Sequence, residues 1–230
     1  MKIERLVNSK VYRIVELVFN LIILNIITLI LFVIGLGVFS IMPTIVALII
    51  VLRSLKGYRS FSIFGLYYKA FKANYLKVLK LSLFYTFVGA LFAFNTYFFY
   101  LMFVDWQGFI NEIVYYLWLI IDLIFIASFI NACFIYVYFP NLNNKKIIKY
   151  SFSLLMAIPV KVLLLIAVLV LFIVVLYLVP LLTIFISVSL YFFIANLLIE
   201  KTYLKLVADG VKSLDASDYL YEKDKLKDYK

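Results

Sequence analysis

The chain alternates between long apolar stretches and short, mostly basic ones. Hydrocarbon about 30 Å thick is crossed by roughly 20 apolar residues in a helix. The first stretch of that length covers 15–38. It is long for a signal-peptide core and has no small-residue cleavage site, so an uncleaved span is expected. Gly35, Gly37 and Pro43 break it. A shorter run, 41–53, ends at Arg53. At about 1.5 Å per residue it reaches only roughly 20 Å, so it is either a short span or a re-entrant segment. Two clear spans follow, 81–104 and 113–139, separated by Asp105, Trp106, Gln107, Gly108, Asn111 and Glu112. From Val162 to Ile199 no charge occurs. As one helix this stretch would measure about 57 Å, nearly twice the membrane core. Pro180 divides it into spans 162–179 and 181–199, and a hairpin there keeps Lys161 and Lys201 on one side. The pattern predicts an all-α, polytopic transmembrane helical bundle of about six spans over residues 1–204. A tail, 205–230, mixes Lys with Asp and Glu and is expected to form a short helix or to be disordered.

The segment between the second and third spans has a different period. Phe61, Phe64, Tyr68, Phe71, Tyr75 and Val78 recur at steps of three and four, which lines one face of a helix. Ser62, Lys69, Ala73, Lys77 and Lys80 take the other face, with Lys72 at its edge. The spacing predicts an amphipathic elbow helix in the cytoplasmic interface, aromatics among headgroups and lysines toward water or anionic lipid. The bland reading is a lead-in to the third span. The functional reading is a lipid-contact or docking surface made of Phe61, Phe64, Tyr68, Lys69, Phe71, Lys72, Tyr75 and Lys77. A weaker counterpart, 145–161, precedes the fifth span, and hints at a duplicated elbow-plus-span unit.

Composition agrees with a membrane solvent. Of 230 residues, 67% are hydrophobic and 15% charged, and the mean hydropathy is +1.12. No soluble domain of this size has so little polar surface. The net charge of +10 would suggest nucleic acid in a soluble protein. Here it reflects the cytoplasmic bias of Lys and Arg. All 22 basic residues fall before the first span, between Arg53 and Lys80, between Lys145 and Lys161, or from Lys201 onward. The loop 105–112 carries only Asp105 and Glu112. Six crossings with both termini cytoplasmic put every basic group inside.

Chemistry is sparse. There is no histidine, and the one cysteine, Cys133, lies in an apolar run. Phosphate-loop, nucleophile-elbow and zinc-protease signatures are absent. No enzymatic activity, cofactor or metal is expected. Asp122 stands inside the fourth span, where a carboxylate is costly and therefore a functional candidate. Its bland reading is a protonated acid bonded to a neighbouring helix. Asn25, Asn95 and Asn131 join it as a candidate intramembrane polar site, with interhelical bonding as the bland alternative.

One stretch carries a resemblance. Leu24-Asn25, Ile34-Gly35-Leu36-Gly37, Met42-Pro43-Thr44-Ile45-Val46-Ala47-Leu48, Leu52-Arg53 and Gly57 precede Tyr68-Lys69-Ala70-Phe71-Lys72-Ala73-Asn74-Tyr75. Together they resemble the YesL-like bacterial integral membrane proteins, a family of unknown function. Such proteins are often encoded beside carbohydrate importers of the ATP-binding-cassette type in Gram-positive bacteria. The resemblance implies an accessory or regulatory subunit of the cell membrane, with lipid and other importer subunits or an ATPase as partners. The alternatives are a substrate-binding or translocating subunit powered by a separate ATPase, and a structural or lipid-interacting protein. A polar cavity around Asp122 would favour translocation.

Overall fold

A helix that is apolar all round is expected to be enclosed by protein or by lipid, and the helices of this chain differ widely in how far protein encloses them. The computed structural model describes residues 10–55, 63–105, 108–206, 213–215, 218 and 219, and among them the fold is all-α. Helix α1 (Lys10–Ile34) leads through a 3₁₀ turn (Gly37–Ser40) into α2 (Ile41–Ser54). Then come α3 (Ile63–Asp105), α4 (Phe109–Tyr138), α5 (Asn144–Ala157), α6 (Pro159–Leu178), α7 (Leu181–Phe185) and α8 (Ser187–Leu206). Helix α2 is the protein-enclosed case. Every residue from Val46 to Leu52 is fully buried, with α1, α3, α4 and α8 packed around it. Helix α6 is the opposite case: Leu163, Leu171, Ile173 and Tyr177 are exposed while Val162 and Leu165 are buried.

The α1–α2 turn is built from its glycines and from hydroxyls on α3. A Cβ at Gly35 would lie 2.3 Å from the Ser40 Cβ, so no other residue fits. Leu36 and Gly37 both take positive φ, 64° and 60°. Carbonyls at a helix end lack intrahelical donors, and in an apolar setting each must find one. Ser40 Oγ donates to Phe32 O and Gly37 O, at 2.9 and 2.8 Å. From α3, Tyr75 OH donates to Gly35 O, Ser82 Oγ to Phe39 O and Thr86 Oγ1 to Val38 O. The turn is thereby fastened along three successive rungs of α3.

Three expectations change. First, no break separates the elbow from the third span, because α3 runs unbroken for 43 residues. It contains no proline, and a change from basic to apolar composition does not interrupt a backbone. At about 1.5 Å per residue it is about 64 Å long. Its first half lies along α2 and its second half pairs with α4, where Phe99 stacks on Trp118 and Phe103 on Tyr115. Second, among the described residues five stretches are long and apolar enough to cross a membrane: Ile14–Ile34, Gly37–Ser54, Ile63–Val104, Phe109–Tyr138 and Pro159–Leu178. The stretch 181–199 is instead divided at Ile186 into α7 and α8, and α8 continues through Glu200 and Lys201. Third, α8 extends to Leu206, across the boundary expected at 204–205, and Leu214 and Tyr219 bond to the bundle. The hairpin at Pro180 does form: Lys161 Nζ donates to Thr202 Oγ1, which joins the two ends of the pair.

Candidate functional site

The polar residues singled out within the spans fall into separate sets. Asp122 on α4 is half-buried, and its Oδ2 accepts a 2.6 Å hydrogen bond from Thr96 Oγ1 on α3. Asn95, beside Thr96, is also half-buried. Asn25 is fully buried and serves the break between α7 and α8. Its Oδ1 accepts from Val188 N and Ser189 N, at 2.9 and 3.1 Å, and its Nδ2 donates to Ile184 O at 2.7 Å. Those two N–H groups are among the orphan donors that open any helix, so α1 supplies a cap for α8. Ser189 Oγ completes the junction by donating to Leu21 O. Asn131 is fully buried, and its Oδ1 accepts from Tyr203 OH at 3.4 Å. Its Nδ2 meets no partner among the described residues. Asn25 thus bonds to Ile184, Val188 and Ser189, Asn131 to Tyr203, and Asp122 to Thr96. A cleft of about 160 Å³ between Ile41, Tyr85, Thr86, Phe125, Ile126 and Phe129 is mostly apolar and touches none of them.

A second polar knot went unnoticed in the sequence. Tyr85 OH, Ser128 Oγ and Ser151 Oγ form a closed triangle of 3.2, 2.8 and 2.9 Å sides, joining α3, α4 and α5. Ser151 Oγ also donates to Ile148 O at 2.7 Å. Three hydroxyl hydrogens serve four contacts, so one hydrogen is shared. All three side chains are buried, and the triangle reads as interhelical glue.

The predicted docking residues occupy a different face from the one expected. Phe61 lies outside the described residues. Phe64 and Tyr68 are exposed, at 57% and 47%, but Phe71 is only 7% exposed and belongs to the core. Tyr75 is half-buried and spends its hydroxyl on the α1–α2 turn. Lys72 and Lys77 are exposed, and Lys69 is half-buried. The buried row is Tyr67, Ala70, Phe71, Asn74, Val78, Leu81 and Tyr85. It is rotated from the aromatic row because α2 packs closely and selects the small Ala70. Tyr67 reaches through it, donating to Thr44 O and sharing a bond with Thr28 Oγ1.

Asn74, in that buried row, belongs to the best-developed polar cluster. Its Nδ2 donates to Ala70 O and to Tyr219 OH, at 2.8 and 2.9 Å, and its Oδ1 accepts from Tyr136 OH. Both amide hydrogens are therefore used. Arg53, on α2, lies 4.4 Å over the ring of Tyr138, close to Tyr136 on α4, a cation–π arrangement. Its Nη1 donates to Leu214 O at 2.6 Å and its Nη2 to Ser213 Oγ at 3.1 Å. Leu214 N donates to Val137 O at 2.9 Å. Burial pushes the Tyr219 phenol above its ordinary value, Asp218 adds to the rise, and the Asn74 bond opposes it. Sequence reasoning read Arg53 only as the end of a span. The available signal was Asn74, a polar residue in an otherwise apolar helical row.

Neither a curated protein nor a solved structure matches the chain. A family match covers the unit just described: the second half of α1, the turn, α2 and the portion of α3 that fastens them. Residues 21–96, which hold Asn25, Gly35, Arg53 and Asn74, match the family described as a protein of unknown function, DUF624, the family that includes the YesL-like proteins.

Proposed function

We propose that the chain is an accessory or regulatory protein of a Gram-positive cell membrane that acts through protein contacts, in the service of a carbohydrate importer of the ATP-binding-cassette type. The observation that carries the contact reading is the use made of the buried polar groups. Asn25 and the Tyr85–Ser128–Ser151 triangle are committed to bonds between helices, and the described cleft is mostly apolar. Basic side chains left at the surface lie instead on α3, at Lys72 and Lys77, while Arg53 and Asn74 are committed to Ser213, Leu214 and Tyr219. In this reading the termini and the basic connections are cytoplasmic. The link to sugar uptake rests on the resemblance alone.

The test is to purify the tagged chain in mild detergent from a Gram-positive host and to quantify importer subunits by mass spectrometry. Sugar uptake is then measured in a strain lacking the chain. Enrichment of permease and ATPase subunits with reduced uptake is expected. Normal uptake and no enrichment would remove the importer assignment. The translocating reading draws on one observation, the Thr96–Asp122 bond between two apolar helices.

A further inference from the structure

Residues 213–219 are held in the manner of a ligand. One residue, Leu214, is read on both sides of its backbone: its N–H by Val137 O and its C=O by Arg53. This is recognition by main-chain hydrogen bonding, which accepts many sequences. Specificity comes from two side chains. Leu214 packs against the hydrophobic core. Five residues on, the Tyr219 oxygen accepts from Asn74 while its ring is half-buried.

The receiving groups are in place for reasons internal to the bundle. Val137 O belongs to the last turn of α4, which ends at Tyr138 before Pro140. Carbonyls there have no donor within the helix. Tyr138 positions the Arg53 guanidinium from beneath, and Tyr136 orients the Asn74 amide. Arg53 directs two of its donors to neutral acceptors of the tail, a carbonyl and a hydroxyl. That choice suits a peptide backbone.

We infer that Arg53, Asn74, Tyr136 and Val137 form a binding site for a peptide with an apolar residue and, beyond a turn, a tyrosine five positions later, occupied in cis by the chain's own Leu214 and Tyr219. The tail is an exchangeable occupant, and a partner segment of the same chemistry enters only when it leaves. The inference deepens the protein-contact reading and rests on it, but its test needs no importer.

The test uses the full-length chain in detergent and hydrogen exchange at the Leu214 amide. In the wild-type chain this amide is expected to exchange at least tenfold more slowly than in a free peptide of residues 211–222. Tyr219→Ala, a change in the tail that leaves the bundle untouched, is expected to abolish most of that protection, and Arg53→Lys to weaken it. An excess of the mass-tagged 211–222 peptide should strip protection from the chain's own tail in a saturable way. The same peptide with Leu214→Pro lacks the N–H and should not. Absence of protection in the wild type would overturn the site. Protection that survives both the tail substitution and saturating peptide would show a fixed structural element, and would equally overturn it.

Discussion

Asn25 connects two parts of the chain through one side chain, and its removal should be felt out of proportion to its size. Asn25→Ala leaves Val188 N, Ser189 N and Ile184 O to find other partners within an apolar region. Each unsatisfied buried group costs about 1–3 kcal/mol, so a loss of at least about 2 kcal/mol is expected in reversible unfolding from mixed micelles. A change near zero would show that Asn25 caps nothing. Asp122 is the contrasting case. Asn keeps an acceptor for Thr96 Oγ1, so Asp122→Asn should leave expression, stability and sugar uptake near wild type. Lost uptake with normal expression would favour the translocating reading. Tyr219 supplies a pH dependence. A phenol raised on docking means that docking favours the neutral form. Its contribution is full below the free value of about 10 and is lost as pH rises through the higher docked value. Spin-label distances from the tail to α4 should lengthen above pH about 10 in the wild type, and Tyr219→Phe should not show that step. Equal profiles would exclude Tyr219 as the titrating group. At this scale the sequence made Asn25 and Asp122 visible as polar residues in apolar runs. Their partners, Ser189 and Thr96, were not visible, because they depend on how distant helices meet.

Among the elements, the α1–α2 turn and α3 show opposite degrees of legibility. Gly35, Gly37 and Pro43 announced a break, and the chain turns there. Gly35→Ala tests its tightness. The added methyl would overlap the Ser40 Cβ, which is held on a backbone with little room to move. Strain of this kind costs about 1–3 kcal/mol or more, so lower yield and a lower Tm are expected. Wild-type stability for Gly35→Ala would mean a looser turn. The helix α3 was legible as a helix and misread in its facing. The aromatic row scored best as an apolar stripe, yet packing against α2 favoured a row containing Ala70 and Asn74. Size complementarity between two helices decides such a rotation, and hydrophobicity of one sequence does not encode it. The tail shows the same limit. Its charges predicted solvation, while Leu214 and Tyr219 dock on residues about 145–160 positions away.

For the molecule as a whole, the one-sided basic residues still make a direct prediction. A cysteine at Gln107 should react with a membrane-impermeant reagent added outside, and one at Asn143 should not. Reversed labelling would end the cytoplasmic-termini reading. The long apolar stretches made an all-α chain rich in apolar helices legible, since several reach the roughly 20 residues that a spanning helix needs. It did not foresee that 181–199 would be divided, because the division is paid for by Asn25, 159 residues before Ile184. That separation has a meaning in time. Synthesis proceeds at about 5–20 residues per second, so roughly 10–30 s pass between the emergence of Asn25 and that of its partners. Throughout that interval the amide sits in a half-made protein with its final acceptor and donors still untranslated. The first helix therefore gains its bonds to Ile184, Val188 and Ser189 only once the last hairpin has been made, so this tie between the two ends of the bundle closes at the end of synthesis.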